Sequence, residues 1–316
     1  MDHIVRRLAV LGGLLTAVLC LGGCFARITQ KQTGDKTLET WDASGTKVLV
    51  RDIKLTKDGI TFGPQVLFLK DSGKARVEIE GQQSLVEALK KGSAGGEMRI
   101  SGSSSTLYDT DYLLIIRFYN YDLESITLEN ACEGIAGNGV VLKADAMKVR
   151  LSGASVLVAD GIESKTLDVR VSGAGRLITE AIKTDTLTAV LSGASQLTTD
   201  RLEAGKTELT LSGASRAKLS DCRLSGSAEW KIEGASTLEA AGTGTDAVLR
   251  LSGASEGKLK DLVLREAKVT LSGASELSVT ANEKLSGEAS GSSDIRYSGS
   301  AVPDIKTSGN SSVEKE

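Results

Sequence analysis

Leu151-Ser152-Gly153-Ala154-Ser155 recurs letter for letter at Leu191–Ser195, Leu211–Ser215, Leu251–Ser255 and Leu271–Ser275. Two near-copies fill the gaps, VSGAG at Val171–Gly175 and IEGAS at Ile232–Ser236. The starts 151, 171, 191, 211, 232, 251 and 271 keep a spacing of 20, with a one-residue slip around Trp230. Fainter copies extend the array, LENAC at Leu128–Cys132 upstream, then ASGSS from Ala289 and TSGNS from Thr307 at a spacing of 18. Ten units of this period are the mark of a solenoid.

Leucine-rich repeats share the period, but their L-x-x-L-x-L-x-x-N pattern is absent. Apolar residues instead alternate into the motif, as Leu167-x-Val169-x-Val171 and Leu209-x-Leu211, and a period of two means strand. Inward positions recur six residues after each start (Leu157, Leu177, Leu197, Leu238, Leu277) and eleven after (Ile162, Ile182, Leu202, Leu262). Three short strands and tight corners per unit describe an all-β chain, a parallel β-helix solenoid of about ten coils, taken as right-handed because most parallel β-helices are. Stacked coils sit roughly 4.8 Å apart, so equivalent residues form columns. Glycine then permits the corner's positive φ, alanine is expected in a narrow interior corner, and the serines bond turn backbone or one another. A nucleophilic serine would need a general base, and near-identical copies would mean as many active sites.

Composition removes much else. The chain has 316 residues, 35 glycines, 2 prolines and a formal charge of −3, which leaves no basic surface for nucleic acid. The single histidine, His3, falls in a segment expected to be cleaved, so histidine-based triads and histidine-ligated metals are excluded and no cofactor is expected. Residues 1–24 carry Arg6 and Arg7, an apolar run from Leu8 to Leu21 too short to span a bilayer, and Leu21-Gly22-Gly23-Cys24. That order resembles the lipobox of bacterial lipoproteins, with Cys24 as the lipidated residue after cleavage. Phe25 next to it, in the Gram-negative lipoproteins it resembles, favours sorting to the outer membrane.

Residues 25–45 read as a tether. Residues 46–127 read as a β-rich cap holding seven of the eleven aromatic residues and one short helix at Ser84–Lys91, and 128–316 as the repeats. The aromatic cluster (Phe62, Phe68, Tyr108, Tyr112, Phe118, Tyr119, Tyr121) is read as packing that closes the solenoid's open end, with a sugar-stacking platform as the alternative. Cys132 and Cys222 fall four coils apart, about 19 Å, in different columns, so no disulfide is expected.

Further residues carry a resemblance. ARVEIEG at Ala75–Gly81, SLVEALKK, GGEMRISG, the LSGAS units and a closing ASGSSDIRYSGSAVPDIKTSGNSSV together resemble the putative auto-transporter adhesin, head GIN domain family over roughly 46–316. The departure is ENACEG where the first Ser-Gly turn is expected, which loosens the first coil. The resemblance implies a secreted or surface β-helix with no assigned enzymatic activity.

The leading expectation is therefore a non-enzymatic cell-envelope lipoprotein, held to a membrane through its N-terminal lipid, with a side surface for adhesion or scaffolding toward a glycan or protein. The alternative is a carbohydrate-binding or carbohydrate-active β-helix of the lyase or hydrolase type, whose sites use carboxylate pairs. Asp160, Glu180 and Asp200 stand nine after the start on three successive coils and could share a proton or a cation; the plainer reading is a solvated corner. Arg150, Arg170 and Arg250, just before three motifs, are expected to be exposed strand residues.

Overall fold

The structure, a computed structural model, describes residues 28–316. The signal peptide and Cys24 expected over residues 1–24 lie outside the described residues. The chain is a parallel β-solenoid of about ten turns, with a single short helix among the described residues. It divides into two compact units, one running to Val141 with Ser155–Asp160, the other comprising Leu142–Ala154 and Gly161–Glu316.

In the first unit the described chain runs β1 (Ile28–Lys31), β2 (Lys36–Trp41), β3 (Lys47–Arg51), β4 (Leu55–Lys57), β5 (Ile60–Phe62), β6 (Gln65–Leu69), β7 (Arg76–Gln82) and α1 (Gln83–Ala88). It continues through β8 (Lys90–Ala94), β9 (Glu97–Ser101), β10 (Thr106–Asp109), β11 (Ile115–Tyr119), β12 (Ser125–Leu128) and the start of β13 (Glu133–Leu151). Pairing shows that the part expected as a cap is mostly further solenoid. β3 lies parallel between β9 and β12, and β6 lies parallel to β11 and to the start of β13. The circuit made by residues 47–69 therefore slots between the circuit made by 97–119 and the one that begins at 125, out of chain order. The cap proper is antiparallel: β7 covers β11, β8 covers β9, and α1 joins them with Leu85 and Val86 buried beneath it. Those strands occupy an edge that would otherwise present unpaired N–H and C=O groups.

The tether expected over 25–45 is not one from Ile28 onward. β1 pairs parallel with β10, and β2 pairs antiparallel with β7 from Lys36↔Gln82 to Trp41↔Val77. Its Thr, Lys and Gln content reads as a linker because β1 is exposed at every residue and β2 keeps one face in water; edge strands need little apolar sequence. The departure at ENACEG also leaves the turn intact. Asn130 takes the glycine position at φ 72°, beside 70° for Gly153, and asparagine tolerates that left-handed region better than other non-glycine residues. Cys132 takes the inward serine position, fully buried, its thiol donating to the Glu129 carbonyl at 3.1 Å.

The second unit stacks one coil per unit of sequence. After Val156–Val171 (β14), Arg176–Leu191 (β15) pairs in parallel register with Gln196–Leu211 (β16), Leu177 on Leu197, Ile182 on Leu202 and Leu191 on Leu211, each shifted by the 20-residue period. Both expected inward columns are buried. Every fully buried leucine contributes about 1.5–3 kcal/mol, repeated coil after coil. The slip lies a few residues before Trp230: between Leu224 and Ala228 the strand Arg216–Ile232 (β17) holds one residue more than β16 does between Ala204 and Thr207, a bulge.

The motif's corner is sharper than sequence indicates, and one assignment reverses. The alanines at 174, 194, 214, 235, 254 and 274 are exposed, while Ser195, Ser215, Ser236, Ser255 and Ser275 are the residues that turn inward, at no more than 1% exposure. Both are small, so the sequence alone does not say which faces the core. The glycine is needed twice over. Gly213 has φ 76°, and a Cβ there would lie 2.7 Å from the Gly193 carbonyl oxygen, the same atom that accepts the Ala214 N–H at 2.7 Å. Backbone touches backbone down the whole column, with Gly173, Gly193, Gly234, Gly253, Gly273, Gly291 and Gly309 in the same state.

Candidate binding surfaces

The repeated serines are built into the interior. Ser275 Oγ donates to the Ser272 carbonyl at 2.7 Å, Ser215 and Ser236 share a hydrogen bond at 3.3 Å, and Ser255 donates to Ser275 at 3.4 Å. A hydroxyl that is fully buried and bonded to backbone or to its neighbour in the column has neither access to substrate nor a base beside it. Ser215, Ser236, Ser255 and Ser275 tie corners together, while Ser195 Oγ is buried without a hydrogen-bond partner.

The acid column lies at the surface. Asp160 Oδ2 accepts the Gly139 N–H of a turn at 2.7 Å. Glu180 and Asp200 are flanked by paired residues, Thr179 on Thr199 and Ala181 on Arg201, and both are exposed on neighbouring coils. Among the described residues, no group of three or more His, Cys, Asp and Glu side chains is placed to hold a metal ion. The arginines lie on the surface in ion pairs: Arg150 with Asp168 at 2.9 Å, Arg170 with Asp168 at 3.4 Å, Arg250 with Glu229 at 2.7 Å. The Asp168 carboxyl is held below the usual carboxylate range, partial burial opposing Arg150 and Arg170, which prevail.

The aromatic cluster is mainly core. Phe68, Phe118 and Tyr108 are at most 3% exposed, Phe68 and Phe118 stack at 5.8 Å, and Phe118 meets Tyr121 edge-on at 6.1 Å. Tyr119 lies under the Arg76 guanidinium at 3.8 Å. Of the seven, Tyr112 is exposed, and one ring is no platform for a sugar chain.

Cys132 and Cys222 are both free thiols. Burial pushes each up to about 12, against small opposing help from backbone hydrogen bonds. Thiolates are the reactive form, so neither thiol reacts in the folded chain at pH 8. The expected titration with a chromogenic disulfide, on protein beginning at Phe25 and so lacking Cys20 and Cys24, is no thiol in native buffer and two in denaturant; a thiol that reacts in native buffer contradicts these columns.

Two concave surfaces carry features that the sequence reading passed over. The first is a groove of about 600 Å³ in the second unit, along one corner of the coils. Its rim alternates in sign from coil to coil: Lys143 pairs with Glu163 at 2.7 Å, and Lys183, Glu203 and Arg223 stack in register, with Glu203 and Arg223 at 3.4 Å. Reading charge along the 20-residue period would have found it. Being self-neutralised, this rim ties neighbouring coils and offers no net field to a charged ligand. The second is a cleft of about 450 Å³ in the first unit, among Arg51, Lys90, Arg99 and the Ser101–Ser104 turn. No periodicity marks it, because its strands are brought together by the out-of-order pairing of β3, β8 and β9.

Geometry thus defines a class: a repetitive parallel β-solenoid whose motif residues maintain the stack and whose other faces are open, polar and regular. The chain belongs to the putative auto-transporter adhesin, head GIN domain family, whose model matches residues 59–223 and 223–301. Among solved structures, a putative adhesin from Parabacteroides merdae is 13% identical with a TM-score of 0.56, covering 91% of this chain and 99% of its own. A putative lipid binding protein from Parabacteroides distasonis is 15% identical, TM-score 0.53, over 92% of this chain and 100% of its own. A putative adhesin from that species is also 15% identical, TM-score 0.50, with the same coverage. At such identity these likenesses establish the fold. No curated protein matches the chain. Among the described residues, no helix is long and apolar enough to cross a membrane.

Proposed function

We propose that the chain is a non-enzymatic lipoprotein of the bacterial cell envelope, anchored at the outer membrane through acyl chains on Cys24 and using the solenoid surface for adhesion or scaffolding. The observation that carries this reading is the fate of the repeated motif. Its serines are buried in one column and, Ser195 apart, hydrogen-bonded there, so the most repeated chemistry in the chain serves stacking, while polar residues are left outward on every coil. Membership of an adhesin-named family and the cleavable-leader pattern ending in Leu21-Gly22-Gly23-Cys24 support it. Each buried methylene of an attached chain adds about 0.8 kcal/mol of membrane affinity, so two or more chains hold firmly.

The test is localisation. In cells fed radiolabelled palmitate, the wild-type chain incorporates label and sediments with the outer membrane, whereas Cys24→Ser takes up none and leaves the outer-membrane fraction. Label in Cys24→Ser, or continued sedimentation of that variant with the outer membrane, removes the anchor from this account.

A further inference from the structure

We propose that the cleft between β3, β8 and β9 is a binding site for an acidic sugar, a pyranose-sized polyol carrying a carboxylate or sulfate group. This deepens the adhesion reading by naming a ligand class.

Register builds the site. Arg51 pairs with Ser101 across β3 and β9, and Ser101 pairs with Lys90 across β9 and β8. Paired residues point to the same side of a sheet, so Arg51, Ser101 and Lys90 form one row with a short serine between two long cations. Two residues along β9, Arg99 stands opposite Gly92. Ile100, between Ser101 and Arg99, is wholly buried, which fixes the row on the outer face. Small residues thus make the floor and cations make the rim.

The remaining wall is held open by its own bonds. Gly102 sits where a Cβ would lie 2.5 Å from the Asp52 carbonyl oxygen and 3.0 Å from the Tyr108 ring. Beyond it, the Ser103 N–H donates to Tyr108 Oη at 3.0 Å, and Lys54 Nζ donates to the Ser104 carbonyl at 3.2 Å. The serine turn is therefore placed before any ligand arrives, and preorganisation lowers the cost of binding.

Charge gives the sign of the ligand. Four cations, Arg51, Lys90, Lys91 and Arg99, line the cleft against one carboxylate, Asp52, in a chain whose formal charge is −3. Lys91 is engaged with Glu39 at 2.6 Å and Arg99 with Glu97 at 2.7 Å. Lys90 has no carboxylate partner among the described residues. Arg51 Nε is buried without an acceptor, Asp52 Oδ2 standing 3.6 Å away. A guanidinium and an ammonium flanking a hydroxyl suit an oxyanion, which accepts charge-assisted hydrogen bonds from both. The lining gives the body of the ligand: serine, glycine and charged side chains with no aliphatic or aromatic group, in a volume of small-molecule size. Hydroxyls fit that lining and an acyl chain does not.

Gly92 supplies the decisive variant. A Cβ there meets nothing within 4 Å, so Gly92→Glu fits the fold and places a carboxylate over the floor. Calorimetric titration of protein carrying Cys24→Ser is run with a galacturonate oligosaccharide, a sulfated oligosaccharide, a neutral oligosaccharide of matched length, inorganic phosphate, and phosphatidylglycerol vesicles. The expected result is saturable binding of at least one acidic oligosaccharide, roughly tenfold or more above the neutral one, weakening as salt rises. Gly92→Glu and the double variant Lys90→Gln with Arg99→Gln should each lose roughly tenfold or more with unchanged melting temperatures. The proposal is overturned if no acidic oligosaccharide binds, if the neutral one binds equally, if phosphate or vesicles alone bind, or if folded variants bind like wild type. Because the assay uses soluble protein, its failure leaves the anchor untouched, and failure of the anchor leaves this binding untouched.

Discussion

Trp230→Ala should lower stability by about 3–5 kcal/mol, the range for removing a large buried aromatic side chain. Trp230 is fully buried within the second unit, in a column where its neighbours above and below are Leu209 and Leu249. Its Nε1 donates to Thr207 Oγ1 at 3.0 Å, so the indole lies toward the column two residues earlier in the coil. That column changes character to suit it. Leu187 in one coil gives way to Thr207, Ala228, Ala247 and Ala267 in the next four. Without the indole, volume is left unfilled beside a column of small residues. Trp230→Phe should cost less, since most of the apolar volume stays while the hydrogen bond to Thr207 goes. The check is the urea midpoint of each variant; an alanine variant within about 1 kcal/mol of wild type would mean that the core does not close around this ring.

Gly213→Val should be as damaging, about 3–5 kcal/mol, for a different reason. A β-branched residue is strained at φ 76°, and its Cβ would press on the Gly193 carbonyl from 2.7 Å. The two coils must part where their backbones touch, which also strains the Ala214 to Gly193 hydrogen bond. Ala214→Lys is the matched control one residue away. Its side chain points to water, so the change should stay within about 0.5 kcal/mol. A solenoid's stability is close to a sum of coil and interface terms, so damage at this interface should separate the unfolding of the coils on either side. Equal effects at 213 and 214 would contradict the corner described here.

What was legible in the chain depended on whether repetition carried it. Verbatim LSGAS copies disclose coil length, strand direction and the inward leucine columns, because each coil repeats the same environment and so selects the same residue. The letters do not distinguish the alanine of the motif from its serine, since two small residues in a tight corner look alike and only backbone direction says that serine faces in. β1 and β2 read as a tether because Thr, Lys and Gln in an edge strand resemble a linker. The N-terminal circuits were hidden by pairing out of chain order: nothing local in residues 47–51 says that they lie between 97–101 and 125–128. The cleft at Arg51 and Lys90 inherits that obscurity, being assembled from three strands distant in sequence. Alternating charge along the Glu163–Arg223 corner was present in the letters, at the same period as the motif.

The proposed function is that this solenoid binds and does not transform what it binds. Beads carrying the Cys24→Ser protein, incubated with acidic and neutral polysaccharides, measure both halves at once when the supernatant is assayed for new reducing ends or unsaturated products. The account predicts saturable capture with the polysaccharide recovered at its original length. Shortened chains accumulating in proportion to protein and time would contradict it.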